Sequence, residues 1–194
     1  GTGGAQEMFG VRADITTFGK VIGGGLPIGC VGGRRDIMET LSPLGPVFHA
    51  GTLAGNPLAT AAGRAALGEL TPDVYSLLRV RAERLSAVLT DACAAAGLPA
   101  VFPVVGTLVG MYFGAALGEG VAPTNFAEAK TTDEAIYRDF FHAMLAEGVA
   151  LAPGAYEALF VGLGHTDEVL DAIGAAAGRA AAVAASAAAA RATS

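Results

Sequence analysis

Tryptophan is absent from the chain, cysteine occurs twice, lysine twice and histidine three times. Each scarcity excludes something. Cys30 and Cys93 stand in dissimilar contexts, so they read as two free thiols of a reducing compartment, with cytoplasm expected, and not as a disulfide scaffold. Lysine and arginine total 12 against 18 acidic residues, a net charge of −6. With no basic stripe to neutralise phosphates, nucleic acid is not an expected partner. Long hydrophobic runs are also missing. No window gives about 18 strongly apolar, uncharged residues, and the alanine tract 175–190 that comes nearest is interrupted by Gly178 and Arg179. A soluble protein with no membrane partner is therefore expected, with no metal site. The chain opens at Gly1 without an initiator methionine and without the charged and apolar regions of a secretory signal, which suggests a fragment.

What the chain has is small and apolar: 53% hydrophobic residues, much of that alanine, and 28 glycines in 194 residues. That length suits one large domain or two small ones. Against this background the stretch Thr16-Thr17-Phe18-Gly19-Lys20-Val21-Ile22-Gly23-Gly24-Gly25-Leu26-Pro27 stands out. It sets one of two lysines between a β-prone run and three glycines. An amine emerging from a buried strand end loses hydration, so its neutral form, the one that attacks carbonyls in Schiff-base chemistry, becomes accessible. Glycines would let the backbone approach a planar ligand. The spacing alone allows equally a lysine whose ammonium snorkels to water before a flexible turn.

In chain order, residues 6–11 read as a helical turn ending at glycine, 14–19 and 27–33 as short strands, and 35–41 as one or two helical turns. Residues 42–46 read as a loop. Asn56 and Pro57 give a cap and first-turn proline for a helix to about Leu70, with a small face of Ala59, Ala62, Gly63 and Ala66. Thr71-Pro72-Asp73 opens a second helix to Ala96, stopped by Gly97. Residues 101–115 predict one or two antiparallel strands. A capping box at Thr131–Glu134 opens a helix to Glu147, residues 149–152 and 158–161 predict strands, and Thr166 starts a final helix. Just ahead of Asn56, Gly51-Thr52 offers backbone amides and a hydroxyl suited to phosphate oxygens, aided by the helix N-terminus. Its plainer reading is a threonine that satisfies a turn.

Several segments together resemble a known family: 3–11, the Lys20 stretch through Gly29, 45–59 with Gly51-Thr52, 125–130, 140–145, 151–153, 157–160 and 165–167. The chain is similar to the class III, fold-type I pyridoxal-phosphate aminotransferases, and within them to the glutamate-1-semialdehyde aminomutases. The resemblance implies an α/β fold: the latter part of the PLP-binding large domain over residues 1–72, then a small α+β C-terminal domain over 73–194 with an alanine-rich tail. It implies that Lys20 forms the imine with pyridoxal 5'-phosphate and serves as acid–base. Gly51 and Thr52 would contact the cofactor phosphate across the subunit boundary of a homodimer, and Glu157 would be an active-site glutamate supplied by the small domain. His49 and His165 are read as satisfied structural histidines, and Cys30 as a packing residue.

The implied activity is intramolecular amino transfer on a small amino-aldehyde, converting glutamate-1-semialdehyde to 5-aminolevulinate in tetrapyrrole synthesis. Ala150, the Gly154-Ala155-Tyr156 run and Gly162 depart from the family pattern on the substrate side. The family's aspartate for the pyridine nitrogen, its glycine-serine phosphate loop and its substrate-carboxylate ligands precede the lysine by more than nineteen residues, so the chain is expected to be the C-terminal part of a longer enzyme. Two alternatives stay open: an intermolecular class III aminotransferase acting on an ω-amine or amino acid, and a non-catalytic fragment unable to hold the cofactor alone.

Overall fold

A computed structural model describes residues 3–114 and 120–193. The chain divides into two compact units, Gly1–Ser76 and Leu77–Ser194.

In the first unit, helix α1 (Gly4–Phe9) ends where Gly10 turns left-handed at φ 63°, as the glycine predicts. Strand β1 (Ile15–Phe18) pairs antiparallel with β2 (Cys30–Gly33), Ile15 opposite Gly33 and Phe18 opposite Cys30. β2 starts three residues later than the predicted strand, because Gly25 is left-handed at φ 93° and Pro27 has no amide to donate. Between the strands runs a 3-10 turn, Lys20–Gly23. Arg34 closes the ribbon: its amide donates to the Asp14 carbonyl at 3.0 Å and its guanidinium pairs with the Asp14 and Asp36 carboxylates. α2 (Arg35–Met38) follows, then α3 (Pro57–Glu69). The expected cap is present, since Asn56 Oδ1 accepts from the amides of Leu58 and Ala59 at 3.0 and 3.2 Å. A two-stranded ribbon leaves both faces open, so Ile15 and Phe18 are each half exposed. The buried residues described in this unit are Gly23, Ala59 and Gly63.

The second unit has a continuous core. Helix α4 (Pro72–Ala95), within which the two units divide, buries Ala82, Leu85, Leu89, Ala92 and Cys93 at helical spacing and stops at left-handed Gly97. Burial pushes the Cys93 thiol up to about 12. The predicted strand region breaks into four two-residue strands: β3 (Ala100–Val101), β4 (Val104–Val105), β5 (Leu108–Val109) and β6 (Tyr112–Phe113). Pro103 and left-handed Gly106 cause the breaks; Ala115, the predicted end, lies outside the described residues. β3 pairs with β6, and β5 joins β4 to β7 (Leu159–Phe160).

A short α5 (Phe126–Ala129), not predicted, is capped by Asn125. α6 (Glu134–Ala146) is capped by Asp133 instead of the predicted box, because the Thr131 hydroxyl donates to the Glu128 carbonyl at 2.7 Å; Thr132 is buried and its hydroxyl accepts from the Phe113 amide at 2.8 Å. No strand forms over residues 149–152. The Val149 amide closes α6 on the Met144 carbonyl, and the Ala152 carbonyl accepts from the Tyr137 hydroxyl. α7 (Asp167–Ala192) is capped by Thr166.

Phe113 is the aromatic centre of the unit, edge-on to Phe102 at 6.0 Å and to Tyr137 at 6.1 Å and tilted against Phe140 at 5.2 Å. By length and composition α7 could cross a membrane, which amends the sequence reading that no stretch could. Its Leu170, Ala176, Ala177, Ala180, Ala181 and Ala184 are nevertheless buried in the core of the unit.

Candidate active site

Lys20 lies two residues past the end of β1 and opens the 3-10 turn. It adopts φ 56°, the one positive value among the described non-glycine residues. For a residue with a Cβ, that left-handed conformation costs about 1–2 kcal/mol, and strain of this kind collects at ligand-binding and catalytic positions. The side chain is exposed, a correction to the apolar, buried strand end expected of it. The physical reason is the open ribbon, which offers no second layer at the end of β1. No described residue forms a salt bridge with its ammonium.

Gly51-Thr52 precedes α3 in a turn closed by the Ala54 amide on the Gly51 carbonyl at 2.9 Å. Thr52 is exposed, and neither its amide nor its hydroxyl is bonded within the described residues. The turn therefore keeps a free amide and a free hydroxyl, the donor set of a phosphate site. The Leu58 and Ala59 amides at the N-terminus of α3 are not free donors, because Asn56 Oδ1 occupies them.

A cleft of about 450 Å³ lies in the first unit. Its lining includes Thr17, Phe18, Gly29, Cys30, His49 and Gly51. Lys20 and Thr52 are outside that lining but sit two residues after Phe18 and next to Gly51. His49, read as a satisfied structural histidine, is exposed and makes no hydrogen bond among the described residues. Cys30, read as packing, is exposed. Both line the cleft because β2 is an edge strand and residues 48–51 run outside any helix or strand. Their place in the cleft went unread, although His49 lies only two positions before Gly51. Nothing in the sequence marks the left-handed backbone of Lys20.

Glu157 lies in the second unit, on the turn after Pro153. It is exposed, and its Oε1 accepts from the Gly154 amide at 3.1 Å. Burial first, then the charge of Glu157, pushes the Tyr137 hydroxyl up. Tyr156 is pushed up chiefly by its hydrogen bond to Glu134. His165 is the satisfied histidine expected, its Nδ1 accepting from the Gly162 amide at 2.9 Å.

Residues 1–176 match the family model described as Aminotransferase class-III. The glutamate-1-semialdehyde 2,1-aminomutase of Laribacter hongkongensis (strain HLHK9) is 48% identical over 171 residues, covering 88% of this chain and 39% of that protein. Among solved structures, a β-phenylalanine aminotransferase from Variovorax paradoxus superposes with a TM-score of 0.77 at 33% identity, over 90% of this chain and 40% of that one. A transaminase with PLP bound gives a TM-score of 0.79 at 26% identity, over 96% and 42%. The chain thus spans about two fifths of the length of each of these relatives.

Proposed function

The chain belongs to the class-III aminotransferase family, and from that premise we propose that its protein uses pyridoxal phosphate to move an amino group within glutamate-1-semialdehyde, yielding 5-aminolevulinate. The observation that carries the reading is Lys20, an exposed amine without an ion-pair partner among the described residues, held at φ 56° two residues after β1. The substrate is chosen on the 48% identity to a relative named for that reaction.

The residues present fit the cofactor. The cleft of about 450 Å³ is within the usual size of a small-molecule site, about 300–1,000 Å³. The Gly51-Thr52 turn has the free donors that a phosphate needs, presented to the cofactor of a partner subunit. When bound, pyridoxal phosphate supplies an aldehyde for an amine to capture and a conjugated ring that takes up the electron pair released at the substrate carbon. Lys20 would hold it covalently through Nζ, and the same amine would hold and return the proton taken from the substrate carbon.

Thr52 binds phosphate oxygens through its hydroxyl and amide, with Gly51 beside it, reaching across the subunit boundary of a homodimer. The exposed apolar side chains leading into that turn, Leu44, Val47 and Phe48, support a covered surface there. Glu157, oriented by the Gly154 amide, is the carboxylate that the small domain contributes. Residues 1–72 are assigned to the latter part of the large domain and 73–194 to the small domain, supported by the division at Ser76. The two free thiols, Cys30 and Cys93, support a reducing, cytoplasmic setting.

The test is turnover by the full native protein given the semialdehyde alone. 5-Aminolevulinate is expected without any second amino acid or keto acid, and Lys20→Ala is expected to slow its formation by orders of magnitude. A strict requirement for a second amino donor or acceptor would instead favour an intermolecular aminotransferase, the reading that the 33% identity to a β-phenylalanine aminotransferase supports. The many exposed apolar side chains of the first unit favour a third reading for the 194 residues by themselves, a piece that does not retain cofactor. Dialysis against pyridoxal phosphate, followed by absorbance, tests it.

A further inference from the structure

Two of the buried residues described in the first unit, Gly23 and Gly63, meet in one contact. The small face of α3 lies directly on the backbone of the Lys20–Gly23 turn. A Cβ placed on Gly63 would stand 1.8 Å from the Ile22 carbonyl oxygen and 2.8 Å from its carbon. From the other side, a Cβ on Gly24 would stand 2.6 Å from the Ala62 carbonyl oxygen, and Gly24 is itself left-handed at φ 57°. Helix and turn therefore interlock backbone to backbone, with no side-chain tip between them that could yield. The turn held in this way begins at the one described non-glycine residue with positive φ.

We infer that α3 is the brace that holds Lys20 in its left-handed conformation and that Gly63 is a positioning residue for the Lys20 amine. The inference rests on the reading of Lys20 as the lysine that binds the cofactor. A strained φ persists only where its surroundings over-determine it, and among the described residues of this unit the α3 contact is the part that is buried. Added volume at Gly63 must move the Ile22 carbonyl, two residues from Lys20, and a displacement of about 1 Å at a reacting group can cost about a hundredfold in rate. Gly68 on the same helix is the built-in control, because a Cβ there meets nothing within 4 Å.

The experiment uses the full native chain, incubated with pyridoxal phosphate, reduced with borohydride at timed intervals and mapped for labelled peptides. Lys130, the other lysine of this sequence, serves as internal reference. The parent is expected to label Lys20 well ahead of Lys130. Gly63→Ala is expected to lower the Lys20 to Lys130 ratio by about a hundredfold, while Gly68→Ala leaves it unchanged. Loss of overall stability with a retained fold would not move that ratio. A Gly63→Ala ratio equal to the parent's, or an equal fall in Gly68→Ala, overturns the brace. A parent that labels both lysines alike overturns the Lys20 reading instead, so the two failures are distinguishable. Should Gly63→Ala not fold, or should the parent label both lysines alike, Lys20→Gly decides. Glycine relieves the left-handed strain, so this variant is expected to melt a few degrees higher, and a melting point no higher than the parent's overturns the inference.

Discussion

The most consequential single residue of the second unit is Thr132. It is the one buried polar side chain among the described residues, and it binds Phe113 twice, accepting from the amide at 2.8 Å and donating to the carbonyl at 3.3 Å. Phe113 carries three of the ring contacts at the centre of the core, so this hydroxyl fixes the backbone from which the core is built. Thr132→Val keeps the shape but leaves a buried amide without a partner, which is expected to cost about 1–3 kcal/mol. Thr132→Ser keeps the hydroxyl and loses only a methyl group, so it should cost much less. Urea unfolding of the two variants checks the order, and equal losses would show that the methyl group matters more than the hydrogen bonds.

At the scale of elements, α6 and α7 are joined at the surface as well as in the core. The Arg179 guanidinium lies 2.6 Å from the Glu147 carboxylate at the C-terminal end of α6 and holds that carboxyl below its ordinary range. The sign follows from linkage: a folded value below the unfolded one, about 4.3, stabilises the fold above that pH and loses the effect as pH falls through the folded value. The pair is solvent-exposed, so its effect on stability is small and screened by salt. NMR titration of Glu147 reads it directly. Arg179→Gln is expected to raise the midpoint toward the ordinary carboxylate value, and an unmoved midpoint would show that the arginine is not the cause.

The same scale shows what the sequence could and could not reveal. α3, α4 and α7 were legible because a start signal opened each: Asn56-Pro57, Thr71-Pro72 and Thr166-Asp167. The strands between Ala100 and Phe113 were legible as β but not in their pairing. Their two-residue lengths carry no period, and β5 finds β7 about fifty residues away. Residues 149–152 had a strand's composition, but their backbone groups were already committed to α6 and to Tyr137. At the candidate site, residue types were readable, and Lys20 and Gly51-Thr52 could be named from the motif. The left-handed Lys20 and the exposure of His49 and Cys30 could not be read, because they depend on an open two-stranded ribbon and not on local propensity.

Across the whole molecule the two units differ in what holds them. The second encloses Phe113, Phe140, Leu89, Met144 and Leu170 at almost no exposure, whereas large apolar side chains of the first, including Phe48 at 82%, Leu44 at 78% and Leu58 at 72%, face outward. Local stability follows buried contact, from near zero in open segments up to the global value of roughly 5–15 kcal/mol. Native hydrogen exchange on the chain is therefore expected to find its slowest amides in the second unit, in α6, α7 and α4 around Leu89. In the first unit, only the amides of α3 and of the turn it braces should approach them. Amides of β1 and β2, paired with each other and covered by no second layer, should exchange far faster although they are hydrogen-bonded. Equal protection of β1 and of α6 would show that the ribbon has a cover of its own, and the contrast between the units would fall with it. Added pyridoxal phosphate should slow exchange first at the Lys20 turn and at Thr52, because those are the groups proposed to hold it.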